Sequence, residues 1–238
     1  MQIKADLHIH SVLSGCAEED NTISNIVNMS HLLDTQIIAL ADHNAIENYP
    51  ALEAYARQYG IVTIPAMEVT TSEEIHVLCL FRTYKQGLDL FKRIYQQIPK
   101  YPLNTSFYNK QLVLDKDDNV VKQYDDLLNV ATCYDIFELV DEVSKLGGVA
   151  IPAHIDRDSF SVLSVLGSLP PDLNVTTLEV SSVCPASLIE QYRGKYNIIC
   201  DSDAHNIEAL VRFSSYIELD SLSKTNLINM LSVRPNKL

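Results

Sequence analysis

The sequence predicts an α/β barrel. Short apolar segments typical of buried strands alternate along the chain with segments whose apolar residues recur at helical spacing. Polar residues directly follow several of these predicted strands, and the carboxyl ends of the strands are where an α/β barrel carries its chemistry. A length of 238 residues is sufficient for one such barrel. We therefore expect residues 1–238 to form a single domain.

The first predicted strand contains the segment Asp6-Leu7-His8-Ile9-His10-Ser11. At the strand period of two, the apolar odd-numbered residues from Ile3 to Ile9 would point to one face, and Asp6, His8 and His10 to the other. The two histidines would then lie about 6–7 Å apart on a rigid element. This spacing suits a transition-metal site, although two exposed histidines on an edge strand are the simpler alternative.

The next predicted elements repeat a strand that ends in polar residues. A helix over Thr22–Leu33 precedes the apolar strand Ile37–Ala41, which Asp42-His43-Asn44 follow directly. A second helix continues to about Tyr59 and ends at Gly60. The strand Ile61–Ala66 comes next, with Glu68 shortly after it.

A strand over Ile75–Phe81 is separated from the preceding one by only a few residues. This connection is too short for a parallel crossover, so it predicts an antiparallel pair or a distorted corner. A helix follows, with apolar positions from Leu88 to Ile98. Residues 99–132 are less regular, and we interpret them as an excursion that could cover the site. Within it, residues 111–114 and 120–124 form a plausible β-hairpin.

Regular alternation resumes after the excursion. Thr132 and Asp135 have the spacing of a capping box, and apolar residues from Ile136 to Leu146 predict the helix that follows. The remaining predicted elements are the strands Val149–His154, Thr177–Ser181, Asn197–Cys200 and Ser215–Leu219 and a last helix, Leu222–Leu231. Asp201-Ser202-Asp203-Ala204-His205 follow the third of these strands.

Composition excludes several classes of protein. The net charge of −13 argues against broad binding of duplex nucleic acid, which needs a basic surface, but bound cations could still attract an anionic substrate locally. Five scattered cysteines without a CxxC pair indicate a reducing compartment rather than a disulfide framework. The sequence shows no signal peptide and no apolar run of transmembrane length, so we expect a cytoplasmic protein without a membrane partner.

Six of the seven histidines lie in or directly after predicted strands, and His31 is the exception. Histidines that only packed in a core would have no reason to collect at strand ends. We therefore expect a multi-metal site that also includes nearby carboxylates. The candidate ligands are His8, His10, Asp20, His43, Glu68, His76, His154, Asp203 and His205.

The segments DLHIHS, ADHN, PAH and SDAH, with the Glu68–His76 pair between the second and third, resemble the PHP (polymerase and histidinol phosphatase) family. The resemblance covers nearly the whole chain outside residues 99–132. It implies a distorted TIM-like (β/α)7 barrel with two or three divalent metal ions at the carboxyl ends of the strands. Mixed histidine and carboxylate ligands suit Zn, Mn or Fe.

The resemblance also implies a distribution of the ligands over three metals. The first metal would be held by His8, His10, Glu68 and Asp203. Glu68 would bridge to a second metal held by His76 and His154, and Asp20, His43 and His205 would hold the third. This family often has an acidic residue directly after the first histidine motif, whereas here extra residues intervene. Asp20 is the best match to that acidic ligand, with Glu19 and Cys16 as alternatives.

The function implied is hydrolysis of a phosphate ester by a hydroxide that bridges the metals. Candidate substrates are a nucleotide, another small phosphorylated molecule or a short single-stranded nucleic acid. Arg157 could bind the phosphate, and the alternative is a solvated surface cation. We expect Asp42 to accept hydrogen bonds near the site rather than to bind metal. Alternative functions are an amidohydrolase-type metal hydrolase and a non-catalytic accessory module stabilised by metals.

Overall fold

A computed structural model of the chain describes residues 1–235. The strands are β1 (Gln2–Ile9), β2 (Ile37–Leu40), β3 (Val62–Thr70), β4 (His76–Leu80), β5 (Gln111–Leu114), β6 (Val120–Tyr124), β7 (Val149–Pro152), β8 (Thr177–Val180), β9 (Asn197–Cys200) and β10 (Tyr216–Glu218). The helices are α1 (Ile23–Leu32), α2 (Tyr49–Ala56), α3 (Tyr84–Gln97), α4 (Ile136–Lys145), α5 (Val162–Leu166), α6 (Ala186–Tyr192), α7 (Ile207–Arg212) and α8 (Lys224–Leu231). No helix within these residues is long and apolar enough to cross a bilayer.

The strands form a curled six-stranded sheet in the order β10-β1-β2-β3-β4-β7, together with a parallel pair, β8 and β9. The pairs β1–β2 and β2–β3 are parallel, while β3–β4 and β4–β7 are antiparallel. The antiparallel β3–β4 pair confirms the prediction made from its short connection. The pair β8–β9 continues the curl on both sides, because Ile155 N donates to Glu179 O and His10 N donates to Ala204 O, both at 2.9 Å. The fold is thus the expected mixed α/β one, a distorted TIM-like barrel.

The two faces of the sheet pack against different partners. One face packs on helices α1 to α4 through residues such as Ile38 and Leu40 of β2. The alternate residues, such as Ile37 and Ala39, form a second apolar cluster that α8 joins. Because side chains alternate along a strand, the strands β1, β2, β3, β4 and β7 contribute to both clusters. The face of the second cluster is also the face that carries the polar site.

The strand β1 departs from the simple alternation that the sequence predicts. Ile3, Ala5 and Leu7 belong to the second apolar cluster, but Ile9 belongs to the cluster packed on the helices. The reason is a shift in the β1–β2 pairing between Asp6 and Ile9. An irregularity of this kind changes which face the following side chains reach.

The start of α4 also differs from the expectation. Asp135, not Thr132, is the N-cap residue, and its side chain accepts a hydrogen bond from Glu138 N while the Glu138 side chain accepts one from Asp135 N. Thr132 instead contacts the end of β3, where its N–H donates to Thr70 O. The capping box is therefore present, but three residues later than the sequence pattern indicated.

Residues 99–132 contain the antiparallel strands β5 and β6 and lie against the barrel mouth. The Asn44 side chain anchors them, because its Nδ2 donates to Leu128 O and Val130 O at 2.7 and 2.8 Å. On the other side, Asn109 N donates to Gly15 O at 2.7 Å. Hydrogen bonds from a side chain of one barrel loop and to the backbone of another thus fix the segment next to the polar site.

Candidate metal centre

Glu68, on β3, is the buried centre of a cluster of histidines. Five imidazole nitrogens lie within 3.5 Å of its two carboxylate oxygens. The nitrogens and distances are His76 Nδ1 at 2.9 Å, His43 Nδ1 at 3.0 Å, His154 Nε2 at 3.2 Å, His8 Nε2 at 3.3 Å and His10 Nε2 at 3.5 Å. A single carboxylate thus joins side chains from several strands.

Asp203, which follows β9, supplies a second carboxylate beside the first histidine pair. Its Oδ1 lies 3.0 Å from His10 Nε2 and 3.5 Å from His8 Nε2. His205 approaches the same oxygen at 3.6 Å and stacks on His10, with ring centroids 4.1 Å apart. The Arg157 guanidinium contacts the other oxygen, Oδ2.

Strand geometry explains why these residues meet. Along β3, Glu68 shares a face with Ile64 and Ala66 of the second apolar cluster, so the centre continues that cluster toward the ends of the strands. His154 follows β7 and Asp203 follows β9, and their φ angles are positive, at 31° and 48°. Non-glycine residues adopt this region at a cost, and such residues concentrate at functional sites.

Two groups outside the cluster hold the first histidine pair. Glu179, in the middle of β8, contacts His8 Nδ1 with both carboxylate oxygens, at 3.0 and 3.1 Å. His10 Nδ1 contacts Ser14 Oγ at 2.9 Å, and Ser14 Oγ donates to Asp42 at 2.8 Å. These contacts direct the Nε2 atoms of both rings toward the centre, as outer partners do for metal-binding histidines.

The role of Asp42 agrees with the expectation from the sequence, whereas Glu179 was not among the residues expected at the site. Asp42 accepts hydrogen bonds from the N–H and hydroxyl of Ser11, both at 2.7 Å, as well as from Ser14. Glu179 has one signal in the sequence, since it is an acidic residue between the apolar residues Leu178 and Val180 of a short strand. Burial of an acidic residue in such a strand requires a partner, which His8 provides.

The electrostatic environment favours the metal-binding forms of Glu68 and His10. Burial alone would raise the pKa of the Glu68 carboxyl, but the surrounding imidazoles, foremost His76, lower it well below its usual range. Burial and the charges of two neighbouring histidines lower the pKa of His10 well below its ordinary value. Burial alone would lower the pKa of His8, but the carboxylates of Glu179, Glu68 and Asp203 raise it well above its ordinary value. An ionised carboxylate and a neutral imidazole are the states that coordinate a metal ion.

The unpaired atoms of the cluster fit divalent cations. His8 Nε2, His10 Nε2, His43 Nδ1 and Glu68 Oε2 are buried and have no hydrogen-bond partner among the described residues. Leaving such atoms unpaired in the interior costs free energy, which a bound cation would remove. Three overlapping groups have ligand atoms within 4.8 Å of one another: His8, His10, Glu68 and Asp203; His43, Glu68 and His76; and His10, His43 and His205.

The structure brings together eight of the nine candidate ligands, all except Asp20. The first of the three groups is the set expected for the first metal, whereas in the other two His43 and His10 stand where His154 and Asp20 were expected. Asp20 is exposed and belongs to none of the groups, and Glu19 is exposed as well. The alternative Cys16 is mostly buried near the centre, where burial and the charges of Glu68 and Asp203 raise its thiol pKa to about 12.

Comparison with known proteins gave one family. The PHP domain model matches residues 6–157, which is more than half of the chain. A search of curated proteins found no match.

Solved structures with the same fold have low sequence identity. Endonuclease Q from Pyrococcus furiosus is similar with a TM-score of 0.72 and 17% identity over 98% of this chain, which spans only 56% of the endonuclease chain. A second endonuclease Q structure is a complex with a 27-mer duplex that has an abasic lesion at the active site. It has the same TM-score and identity and covers 97% of this chain and 56% of the other.

Two shorter proteins match over most of their own length. A putative metal-dependent phosphoesterase from Bifidobacterium adolescentis has a TM-score of 0.60 and 16% identity, over 84% of this chain and 87% of the other. An amidohydrolase from Chromobacterium violaceum with bound sulfate has a TM-score of 0.56 and 15% identity, over 97% and 93%. At these identities the likeness establishes the fold alone.

Proposed function

The chain belongs to the PHP domain family, and from this premise we propose that it is a metal-dependent hydrolase of phosphate esters. The observation that carries the proposal is the buried Glu68 carboxylate with five imidazole nitrogens around it and Asp203 beside them. Divalent cations bound there would supply an activated water and would withdraw negative charge from a phosphoryl group.

The residues of the chain would divide the work between binding and positioning. His8, His10, Glu68 and Asp203 would hold one cation, and Glu68 with His43, His76 and His154 would hold a second. His10, His43 and His205 provide a further set of nitrogens, with Cys16 or Asp20 as candidates for an additional ligand. Glu179 and the Ser14–Asp42 pair would keep the first two imidazoles in the orientation that binding needs.

Arg157 would bind the phosphate of the substrate. Its guanidinium lies at the rim of the centre, in contact with Asp203, and its side chain is 42% exposed. A guanidinium presents two parallel donors that match phosphate oxygens. Because the Arg157 guanidinium contacts Asp203, a candidate metal ligand, it would lie close to a phosphate bound at the metals.

The substrate would be a nucleotide, another small phosphorylated molecule or a short single strand of nucleic acid. The net charge of −13 favours a small or single-stranded ligand over a long duplex. One neighbour, endonuclease Q, forms a complex with a 27-mer duplex that has an abasic lesion at the active site, which supports a substrate built from nucleotides.

The test is hydrolysis of an aryl phosphate and a panel of nucleotides by protein reconstituted with Zn²⁺, Mn²⁺ or Fe²⁺, with metal content measured by elemental analysis. We expect His8→Ala to lose most of its turnover and part of its metal. His31→Ala is the matched control, because His31 is exposed in α1 and its ring contacts Tyr59, away from the centre. Negligible turnover of every substrate by the wild type and His8→Ala alike would contradict the proposal.

The amidohydrolase neighbour supports a second candidate function, hydrolysis of a C–N bond. A panel of cyclic and linear amides tested with the same preparations separates the two reactions. Full metal content without turnover of either panel would instead indicate a non-catalytic module.

A further inference from the structure

A cavity of about 400 Å³ lies beside the candidate metal centre. This volume is within the range of small-molecule sites. Three aromatic residues and three polar residues form much of its wall: Tyr101, Tyr108, Phe160, Thr70, Glu74 and Asn129. None of them belongs to the metal-binding groups described above.

Phe160 and Thr70 connect the cavity to the centre. The Phe160 ring stacks on the His76 ring, with centroids 4.7 Å apart and an angle of 20° between the planes. Phe160 O also accepts a hydrogen bond from His76 N at 2.9 Å. Thr70 lies two residues after Glu68 on the same face of β3 and is paired with His76. A ligand in the cavity would therefore adjoin a phosphate bound at the metals.

The aromatic wall is exposed in a way that folding alone does not require. Phe160 has a φ of 55° and is 44% exposed, although one face of its ring covers His76. Tyr101 is 58% exposed. A strained backbone that keeps an apolar ring at the surface beside a reactive centre is expected where the ring binds a ligand.

Thr70 adds an unpaired polar atom. The residue is 3% exposed and lines the cavity, and its Oγ1 has no hydrogen-bond partner among the described residues. A buried hydroxyl without a partner costs free energy that a ligand atom could recover. Glu74 and Asn129 extend the set of hydrogen-bonding groups toward the opening.

The rest of the cavity wall comes from residues 99–132. Pro99, Tyr101, Tyr108 and residues 129–131 all lie within residues 99–132. The Asn44 side chain, next to His43, holds this segment through Leu128 O and Val130 O. The cavity is therefore positioned by a residue adjacent to a candidate metal ligand.

We propose that this aromatic cavity binds the nucleobase attached to the phosphate that is hydrolysed, so that the substrate is a nucleotide unit. The inference rests on the proposed function and specifies its substrate class. Flat aromatic rings stack on any base, and the polar groups of the wall can bond the donors and acceptors at a base edge. A phosphorylated sugar without a base would leave the three rings uncovered.

The test compares ligands that differ only in the base. Protein reconstituted with Mn²⁺ is titrated calorimetrically with phosphonate analogues of AMP and of ribose 5-phosphate, in which carbon replaces the ester oxygen and prevents hydrolysis. We expect the AMP analogue to bind roughly 5- to 100-fold more tightly. Tyr101→Ala and Phe160→Leu should each reduce this ratio by about fivefold or more. Phe107→Ala is the control, because Phe107 is an exposed aromatic residue of the same segment that does not line the cavity.

Equal affinity for the two analogues, or a ratio unchanged in both cavity variants, would overturn the inference. If the protein hydrolyses phosphate esters but shows no preference for the base, only the inference fails. If binding depends on the base but no ester is hydrolysed, the proposed function fails instead. Competition experiments with a single-stranded tetranucleotide distinguish a nucleic-acid strand from a free nucleotide. If the tetranucleotide displaces the bound analogue at lower concentrations than both its abasic counterpart and AMP, the substrate is a nucleic-acid strand. If it displaces the analogue less effectively than AMP, the substrate is a free nucleotide.

Discussion

At the scale of single residues, the candidate metal centre depends on groups that do not reach the metals themselves. Glu179 is 1% exposed, and both of its oxygens face one imidazole nitrogen of His8. This carboxylate fixes both the tautomer and the direction of the ring, since the Nδ1 proton must point to it. The Nε2 lone pair is then left for a cation.

We predict that Glu179→Gln weakens metal binding and kcat/KM by about tenfold. The amide still accepts the Nδ1–H hydrogen bond, but it lacks the charge that makes the imidazole a stronger ligand. Metal affinity is measured by competition with a chelator and activity with the best ester of the panel. Glu190→Gln is the control, because Glu190 is 64% exposed and pairs with Arg193 at the surface. Equal metal affinity in both variants would contradict a positioning role for Glu179.

Arg157 leads to a prediction that separates binding from chemistry. Arg157→Lys keeps a positive charge but loses the two parallel donors, and we expect KM to rise about tenfold with a smaller change in kcat. Arg193→Lys provides the matched control at an exposed ion pair. A KM equal to that of the wild type, at unchanged metal content, would show that Arg157 only pairs with Asp203.

At the scale of elements, the sequence pattern predicted the features that follow from the order of the strands and from the residues at their ends. Polar residues near the carboxyl ends of β2, β3 and β9 located His43, Glu68 and Asp203 at one end of the barrel, because parallel strands end at the same edge. The pattern could not predict the irregularity in β1 that sends Ile9 to the other cluster, since pairing register depends on β2. Nor could it place Asp20, because a loop side chain has no period to follow.

The same limit applies to Glu179 and to the start of α4. The contact between Glu179 and His8 joins residues 171 positions apart, and no local pattern contains that information. Asp135 and Glu138 form a capping box that the sequence also displays, but Thr132 and Asp135 offered a competing one. In the structure the Thr132 N–H donates to Thr70 O, a tertiary contact that the local pattern does not contain.

Helix α3 gives a prediction in which packing opposes helix propensity. Gly87→Ala would ordinarily stabilise a helix by about 1 kcal/mol. Here the added Cβ would overlap Ile46 Cδ1 and lie 2.9 Å from Phe81 Cδ2. Overpacking of this kind costs about 1–3 kcal/mol, so we expect a net destabilisation of roughly 1 kcal/mol in urea unfolding.

Ile46→Val provides the matched test, because it removes the methyl group that the new Cβ would overlap. In the Ile46→Val background, Gly87→Ala should destabilise the protein less than in the wild type, and a double-mutant cycle measures the difference. If Gly87→Ala raises the free energy of unfolding in both backgrounds, the close contact does not control the stability of α3.

At the scale of the whole molecule, the centre connects distant parts of the chain. His8 and His10 lie near the beginning, Asp203 and His205 near the end, and Glu68 between them. The β8–β9 pair adjoins the sheet near this centre, through Ile155 on one side and His10 on the other. Cations bound at the centre would therefore hold together the part of the barrel that has the fewest ladder hydrogen bonds.

We predict that removal of the metals lowers the thermal stability of the entire domain. A ligand that binds only the folded state at about 100 times its Kd stabilises it by about 2.7 kcal/mol. For a chain of this size that corresponds to a fall in Tm of roughly 5–10 °C on treatment with a chelator. Scanning calorimetry before and after chelation, and again after Mn²⁺ is restored, measures the change. Glu68→Gln removes the shared carboxylate charge and should show a much smaller chelator effect, whereas His31→Ala should respond like the wild type. An equal Tm for the wild type with and without chelator, at verified metal loading, would contradict a structural contribution of the metals.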